Sequence, residues 1–236
     1  MNKLNENIFH QYNKWKSGYV RNENSLQMRL NNFLSNKEIR NVDMYHISED
    51  GKHVDCDDIM VKIYDSDLID GKFPFPFGKV KGDFGCWNCK SLISLEGAPK
   101  EVGGFFNCTD CENLTSLEGA PKEVGGHFSC YNCENLTSLE GAPEKVGKDF
   151  SCSDCKNIKS LKGAPEEVGY EFTCNGCKNL KSLEGAPKKV SRLDCIGCES
   201  LTSLEHLPKE IGIFYINKRF NLKIPLGVKI SDIRYI

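Results

Sequence analysis

Six Cys-x-x-Cys pairs recur along this chain, and thiolates paired at this spacing are frequent ligands of zinc. From Cys86 to Cys111 the sequence reads Cys-x2-Cys-x18-Cys-x2-Cys, a spacing typical of zinc sites. Zinc binding, redox chemistry and simple packing are three alternative roles for these side chains. The first cysteines of the pairs are Cys86, Cys108, Cys130, Cys152, Cys174 and Cys195.

The position of these cysteines in the pattern favours packing. Phe106 and Cys108 alternate with polar residues, as buried residues of a short strand do. Free cysteine behaves as a small apolar side chain there. In the flanking copies, Ile63 and Ile216 take the place of the first cysteine, and isoleucine cannot bind a metal. We therefore expect structural thiols, with no metal and no cofactor.

The cysteine pairs belong to a longer repeat. Successive first cysteines are 22 residues apart from Cys86 to Cys174, and Cys195 follows after 21. Each copy holds a strand pattern, returning leucines and a Gly-Ala-Pro turn, as in residues 102–123. One such coil cannot bury its own apolar row, so copies must stack. The repeat therefore predicts a solenoid with a continuous parallel sheet.

The strand half of the repeat, from Phe106 through Cys108 and Cys111 to Leu114, resembles the leucine-rich repeat in its cysteine-containing variant. The short Gly-Ala-Pro unit is also similar to repeats of secreted bacterial effectors and of proteins encoded by bacteriophages. The resemblance covers about residues 54–222. It implies an arc whose concave sheet binds other proteins, and a phage-encoded protein that binds or inhibits a host defence factor.

The expected fold class is an α+β solenoid: a leucine-rich-repeat-like arc with a concave parallel sheet, few helices on the convex side and an N-terminal helical cap. Residues 1–42 predict a helical hairpin that covers the first coil or, alternatively, contacts a partner. Residues 43–78 predict a β-hairpin and a degenerate first coil, in which the Phe-Pro run 73–77 fills the junction or docks a partner. Residues 79–212 hold six cysteine-containing repeats, and residues 213–236 predict a C-terminal capping coil.

Composition narrows the function classes. The 31 basic and 33 acidic side chains nearly cancel, so we expect neither nucleic acid nor a membrane as a partner. The amino terminus lacks an apolar signal core, and many free thiols suit a reducing cytoplasm. The five histidines are scattered over different elements, and no catalytic spacing connects them. We therefore expect a cytoplasmic protein that is not an enzyme.

The residues that face outward from the strands vary from coil to coil, and a binding surface is expected where a constant scaffold varies. Exposed aromatic residues are enriched among binding hot spots, and acidic neighbours would select a partly basic protein. We expect an unidentified protein partner, bound by a monomer or by a dimer formed through the N-terminal helices. The alternatives are a zinc-binding or redox-responsive module and a self-associating structural component. The predicted binding residues are Trp87, Phe105, His127, Tyr131, Asp149, Asp154, Glu171 and Arg192.

Overall fold

The structure, a computed structural model, describes residues 25–35, 42–218 and 223–236. The first predicted helix, with Leu4, Ile8, Tyr12 and Trp15, lies outside the described residues. The second predicted helix is present as α1 (Leu26–Ser35). It begins after Ser25, whose Oγ accepts a hydrogen bond from the Met28 amide at 3.2 Å, as an N-cap residue does.

The rest of the described chain is a β-solenoid in which most coils contribute two short strands. Short 3-10 turns lie at Val42–Met44 and Asp65–Asp67. In chain order the strands are β1 (Tyr45–Ile47), β2 (Val54–Cys56), β3 (Met60–Lys62), β4 (Phe77–Val80), β5 (Asp83–Gly85), β6 (Glu101–Val102), β7 (Phe106–Asn107), β8 (Glu123–Val124), β9 (Phe128–Ser129), β10 (Lys145–Val146), β11 (Phe150–Ser151), β12 (Glu167–Val168), β13 (Glu171–Thr173), β14 (Lys189–Asp194), β15 (Glu210–Ile216) and β16 (Lys229–Tyr235).

Stacking of the coils produces two sheets. The first sheet has seven strands in the order β1-β2-β4-β6-β8-β10-β12, and the second has nine in the order β16-β15-β14-β13-β11-β9-β7-β5-β3. All pairings between the described strands are parallel except that of β1 with β2. The predicted solenoid with parallel pairing is therefore confirmed. The first sheet was not predicted, because two-residue strands are too short for the alternation that identifies a strand.

A glycine corner connects the two strands of a coil. At this corner successive coils come very close, since a Cβ atom on Gly125 would lie 2.2 Å from the carbonyl oxygen of Gly103. Only glycine fits such an approach without a shift of the backbone. Close stacking of these coils at the corner therefore requires glycine at this position.

The core is built from columns of identical side chains. Phe106 pairs with Phe128 and Phe128 with Phe150, so the register repeats in every coil. Ring centroids along the phenylalanine column are 5.2–5.4 Å apart, and the rings are nearly parallel. Columns of valine, cysteine and leucine run beside it, fully or almost fully buried. This arrangement confirms that a coil buries its apolar row against its neighbours.

Aromatic residues fill the junction at the start of the solenoid. Phe33 of α1 contacts Phe75 edge to face, with ring centroids 5.2 Å apart. Phe75 and Phe77 are 4.7 Å apart, and both are buried. The prediction that the Phe-Pro run fills this junction is confirmed.

Candidate protein-binding surface

The outward side of the second sheet forms three parallel rows, which we call the variable face. The strand register places residues of equivalent position in adjacent coils next to each other along the solenoid. The first row contains Asp83, Phe105, His127, Asp149, Glu171 and Arg192; the middle row contains Gly85, Asn107, Ser129, Ser151, Thr173 and Asp194; the third row contains Trp87, Thr109, Tyr131, Ser153, Asn175 and Ile196.

The structure distributes the predicted aromatic residues over two rows. Phe105 and His127 are neighbours in the first row, whereas Trp87 and Tyr131 lie in the third row on either side of Thr109. Between the rows, the middle positions carry small side chains. The aromatic rings therefore border a strip of small polar residues rather than forming one patch.

The indole ring of Trp87 lies close to Gly85 of the second sheet. A Cβ atom added to Gly85 would be 1.9 Å from the indole ring, so the ring occupies the space above this glycine. The Nζ atom of Lys62 lies 5.6 Å from the ring centroid, within range of a cation–π contact. The side chain nevertheless keeps 37% of its surface exposed. Trp87 is therefore both held in place and available to a partner.

Tyr131 is held in a similar way by an acidic neighbour. A hydrogen bond with Asp154 raises the pKa of the Tyr131 hydroxyl above its ordinary value. Asp154 itself lies close above Gly176, where a Cβ atom would be 2.1 Å from a carboxylate oxygen. Tyr131 is 39% exposed. Both exposed aromatic residues of the third row thus have a defined support on the sheet.

The acidic residues in the middle of the variable face are paired within the protein. The Nδ1 atom of His127 lies 2.7 Å from a carboxylate oxygen of Asp149, and Asp149 also accepts a hydrogen bond from the Glu171 amide at 3.1 Å. Arg192 lies 3.1 Å from the Glu171 carboxylate. Burial raises the pKa of Glu171 above its ordinary value. These contacts order the side chains and partly neutralise the acidic zone.

The variable face continues beyond the predicted residues. The guanidinium of Arg192 stacks on Tyr215 at 4.4 Å from the ring centroid, and Arg234 lies over the same ring at 5.4 Å. Arg234 also donates a hydrogen bond to the Tyr215 hydroxyl at 2.8 Å. Tyr215 and Arg234 were not among the predicted binding residues, although Tyr215 follows Phe214 at the same place as the middle-row residues of earlier coils.

The charged residues on the outer side of the first sheet contrast with the variable face, and we call them the charged row. Each is exposed, and each is lysine or glutamate. Lys79 lies 2.7 Å from Glu101, and Lys145 lies 3.3 Å from Glu167. The charged row consists of Lys79, Glu101, Glu123, Lys145 and Glu167, with Lys189, Glu210 and Lys229 at the same place in the later coils.

The cysteines are placed as packing residues. All thirteen are buried and free. The Cys133 thiol donates a hydrogen bond to the carbonyl oxygen of Cys108 at 3.2 Å, and the Cys130 thiol donates one to Ser151 at 3.4 Å. A hydrogen bond with Cys133 and burial raise the pKa of Cys108. The thiols thus satisfy buried carbonyl groups of neighbouring coils, which an alanine could not do.

Within residues 25–35, 42–218 and 223–236, no group of three or more histidine, cysteine or acidic side chains has an arrangement that could hold a metal ion. The closest approach of thiols occurs where the repeat shortens. The Cys174 sulfur lies 3.5 Å from that of Cys195 and 4.0 Å from that of Cys198. Among the described residues no helix has the length and apolar character that a membrane span requires.

Comparisons of the chain with protein-family models, curated proteins and solved structures give no match. The β-solenoid fold and the geometry of its faces therefore carry the functional inference alone.

Proposed function

We propose that the protein is a non-enzymatic interaction module that binds a protein partner through the variable face, and that it works in a reducing cytoplasm. One observation carries this proposal. The same coils repeat phenylalanine, cysteine and leucine inside and only lysine or glutamate on the charged row, yet the first row of the variable face changes chemical class from coil to coil. If only packing and solvation constrained the first row, the same residue could repeat there in each coil.

The supported aromatic residues give the proposal a physical basis. Tryptophan and tyrosine bury a large area with few rotatable bonds, so they contribute strongly to interfaces. Trp87 lies over Gly85, and Tyr131 interacts with Asp154, which raises the pKa of the Tyr131 hydroxyl. Side chains that are ordered before binding lose less conformational entropy on association. The acidic residues nearby would favour a partner with basic residues.

We extend the proposal to the architecture and origin that the repeat resembles. The coils would be leucine-rich-repeat-like, with α1 acting as a helical cap, and the buried Leu30 and Phe33 support that role. The resemblance to phage-encoded repeats makes a host defence factor the proposed target. These parts rest on the resemblance and on the packing of α1, whereas the binding surface rests on the variable face.

Site-specific photo-crosslinking would test the binding surface. A photoreactive amino acid in place of Thr109 would lie between Trp87 and Tyr131, and the matched control would carry it in place of Lys145 on the charged row. In a bacterial lysate, we expect the same protein to be crosslinked repeatedly from position 109 and not from position 145. Equal crosslinking from both positions would contradict the proposal.

A second candidate is thiol chemistry at Cys174, Cys195 and Cys198, which their short sulfur–sulfur distances favour. Elemental analysis of protein purified in reducing buffer, together with thiol titration, separates the two functions. The interaction module predicts near-zero metal and about thirteen free thiols. Stoichiometric zinc, lost in Cys174→Ser, would favour the second candidate.

A further inference from the structure

Strand β16 (Lys229–Tyr235) ends the second sheet and has one unpaired edge in the described part of the chain. It pairs in parallel with β15 along its whole length, from Glu210 opposite Lys229 to Ile216 opposite Tyr235. Along the sheet order, no described strand lies on its other side. An exposed strand of seven residues is a template for pairing with another strand.

The backbone groups on this open edge can be identified. Ile236 directs its amide toward β15, where it donates to the carbonyl of Ile216 at 3.0 Å. Along a strand, the amide and carbonyl groups of successive residues point to opposite edges. Ile233 and Tyr235 therefore direct their amide and carbonyl groups away from β15. In an earlier coil, the equivalent amide of Phe128 bonds to the carbonyl of Asp149 in the next coil at 2.8 Å. The groups of Ile233 have no such partner among the described residues.

Apolar side chains are also uncovered at this end. Ile233 lies opposite Phe214, and Tyr235 lies opposite Ile216. The two residues of β15 are buried, whereas Ile233 is half-buried and Tyr235 is 50% exposed. The inner columns of the solenoid therefore end at β16 with their apolar surface partly open in the described structure.

The charges on β16 are arranged so that the strand is complementary to itself. Asp232 and Arg234 stand one residue before and one residue after Ile233. In an antiparallel pair centred on Ile233, Asp232 faces Arg234 of the second copy, and Arg234 faces Asp232 of the second copy. A register centred on Asp232 or on Arg234 would instead place like charges opposite each other, which destabilises a pair.

Charged residues on an edge strand usually oppose association. Here the opposite signs at equal distances from Ile233 favour one register and one partner. The same register uses the amide and carbonyl of Ile233, which face the open edge, as a hydrogen-bonded pair. It also places Ser231 opposite Tyr235 of the second copy. Charge complementarity, hydrogen bonding and apolar contact thus all favour a second copy of this chain as the strand that pairs with β16.

We propose that two copies of the protein associate through the outer edges of β16, antiparallel and centred on Ile233. The nine-stranded sheets of the two copies become one continuous sheet. The contact is a two-fold symmetric one, in which each copy contributes the same residues. The dimer carries two variable faces, and its formation does not depend on a partner binding to them.

Charge exchange on β16 tests this proposal with matched variants. Sedimentation analysis of the wild-type chain should show a concentration-dependent shift from 26.6 kDa to about twice that mass. Asp232→Arg and Arg234→Asp each place like charges opposite each other, so each should raise the dissociation constant about tenfold. The double variant Asp232→Arg/Arg234→Asp should restore the wild-type affinity.

A mixture of the two single variants gives the sharpest result. Asp232→Arg has two arginines at the contact and Arg234→Asp has two aspartates, so the mixture should form a heterodimer with at least wild-type affinity. Circular dichroism controls for folding of each variant. A wild-type chain that stays at 26.6 kDa at every concentration would overturn the proposal. Dimers that are equally strong in all variants, as expected for contact through the N-terminal helices or for nonspecific strand addition, would also overturn it.

Discussion

The variable face and the charged row are made by the same coils, and they differ in what each position accepts. Every residue of the charged row is lysine or glutamate, and every one is exposed. The first row of the variable face carries acidic, aromatic and basic residues, several of them half-buried and paired. Solvation requires little more than a charge. A row whose side chains change chemical class from coil to coil therefore indicates a constraint other than folding. We assign that constraint to partner binding.

The largest expected effect lies inside the coils that carry both faces. Cys130→Asp places a carboxylate among fully buried apolar side chains, where the charge loses its hydration. We expect a loss of about 3–5 kcal/mol, which unfolds neighbouring coils. Ser129→Asp adds the same group to the outer side of the same strand and should cost less than about 1 kcal/mol. Urea denaturation followed by circular dichroism measures both, and comparable losses would mean that Cys130 is not a core residue.

Cys130→Ala should have a smaller effect. It leaves a small cavity and removes the thiol that donates to the Ser151 carbonyl at 3.4 Å, at a cost of about 1–2 kcal/mol. The fold should persist, because each coil is also held by its phenylalanine and leucine columns. Thermal denaturation gives the size of the loss. Collapse of the whole chain with release of bound metal would instead show that the thiols are ligands.

Gly85→Ala tests whether the sheet supports Trp87. The new Cβ atom would clash with the indole ring at 1.9 Å, so the ring must leave its place. We expect a red shift of tryptophan fluorescence and a stability loss of about 1 kcal/mol, measured in a Trp15→Phe background. Weaker partner binding should follow, although Trp87 itself is retained. An unchanged emission spectrum would mean that the ring does not rest on Gly85.

Asp194 should make the stability of the protein depend on pH, in contrast to the exposed residues of the charged row. Burial raises the pKa of this middle-row carboxyl above its ordinary value of 3.8. A raised pKa in the folded state means that the folded protein holds the proton more tightly, so stability decreases as pH rises through the folded pKa. Asp194→Asn should therefore raise the melting temperature at neutral pH and have no stabilising effect below about pH 3.8. Stabilisation that is equal at all pH values would contradict the shift.

The smallest effect is expected on the charged row. Lys145 and Glu167 form an ion pair at 3.3 Å, but both side chains are mostly exposed. Pairs of this kind contribute about 0–1 kcal/mol and are screened by salt. Lys145→Ala should shift the melting temperature by no more than a degree or two. It should leave the binding of a partner unchanged. A strong loss of binding would remove the distinction between the two faces.

The sequence predicts the solenoid well because its buried columns repeat strictly. The phenylalanine, cysteine and leucine positions, the Gly-Ala-Pro turns and the irregular last cysteine repeat can all be read before the structure is known. The second strand of each coil could not be predicted, because Glu123–Val124 is too short to show a period.

The candidate surface was predictable only as a set of outward positions. Its rows depend on which strand position each residue takes, so Trp87 and Tyr131 lie in a different row from Phe105 and His127. The rotamer that brings Trp87 over Gly85 and the pairing of His127 with Asp149 are side-chain arrangements that the residue types alone do not specify. The His127–Asp149 pair joins adjacent coils, and its residues are 22 positions apart along the chain, so no local pattern predicts it.

The most direct test of the central claim compares proteins captured by two matched double variants. Trp87→Ala/Tyr131→Ala changes the variable face, and Lys122→Ala/Lys145→Ala changes exposed charges elsewhere in the same part of the solenoid. Quantitative mass spectrometry of captured proteins, with melting temperatures as the folding control, measures both against the wild type. We predict that the variable-face variant loses its partner at least tenfold while the charge variant keeps it. Equal capture by both folded variants would contradict a binding role for the variable face.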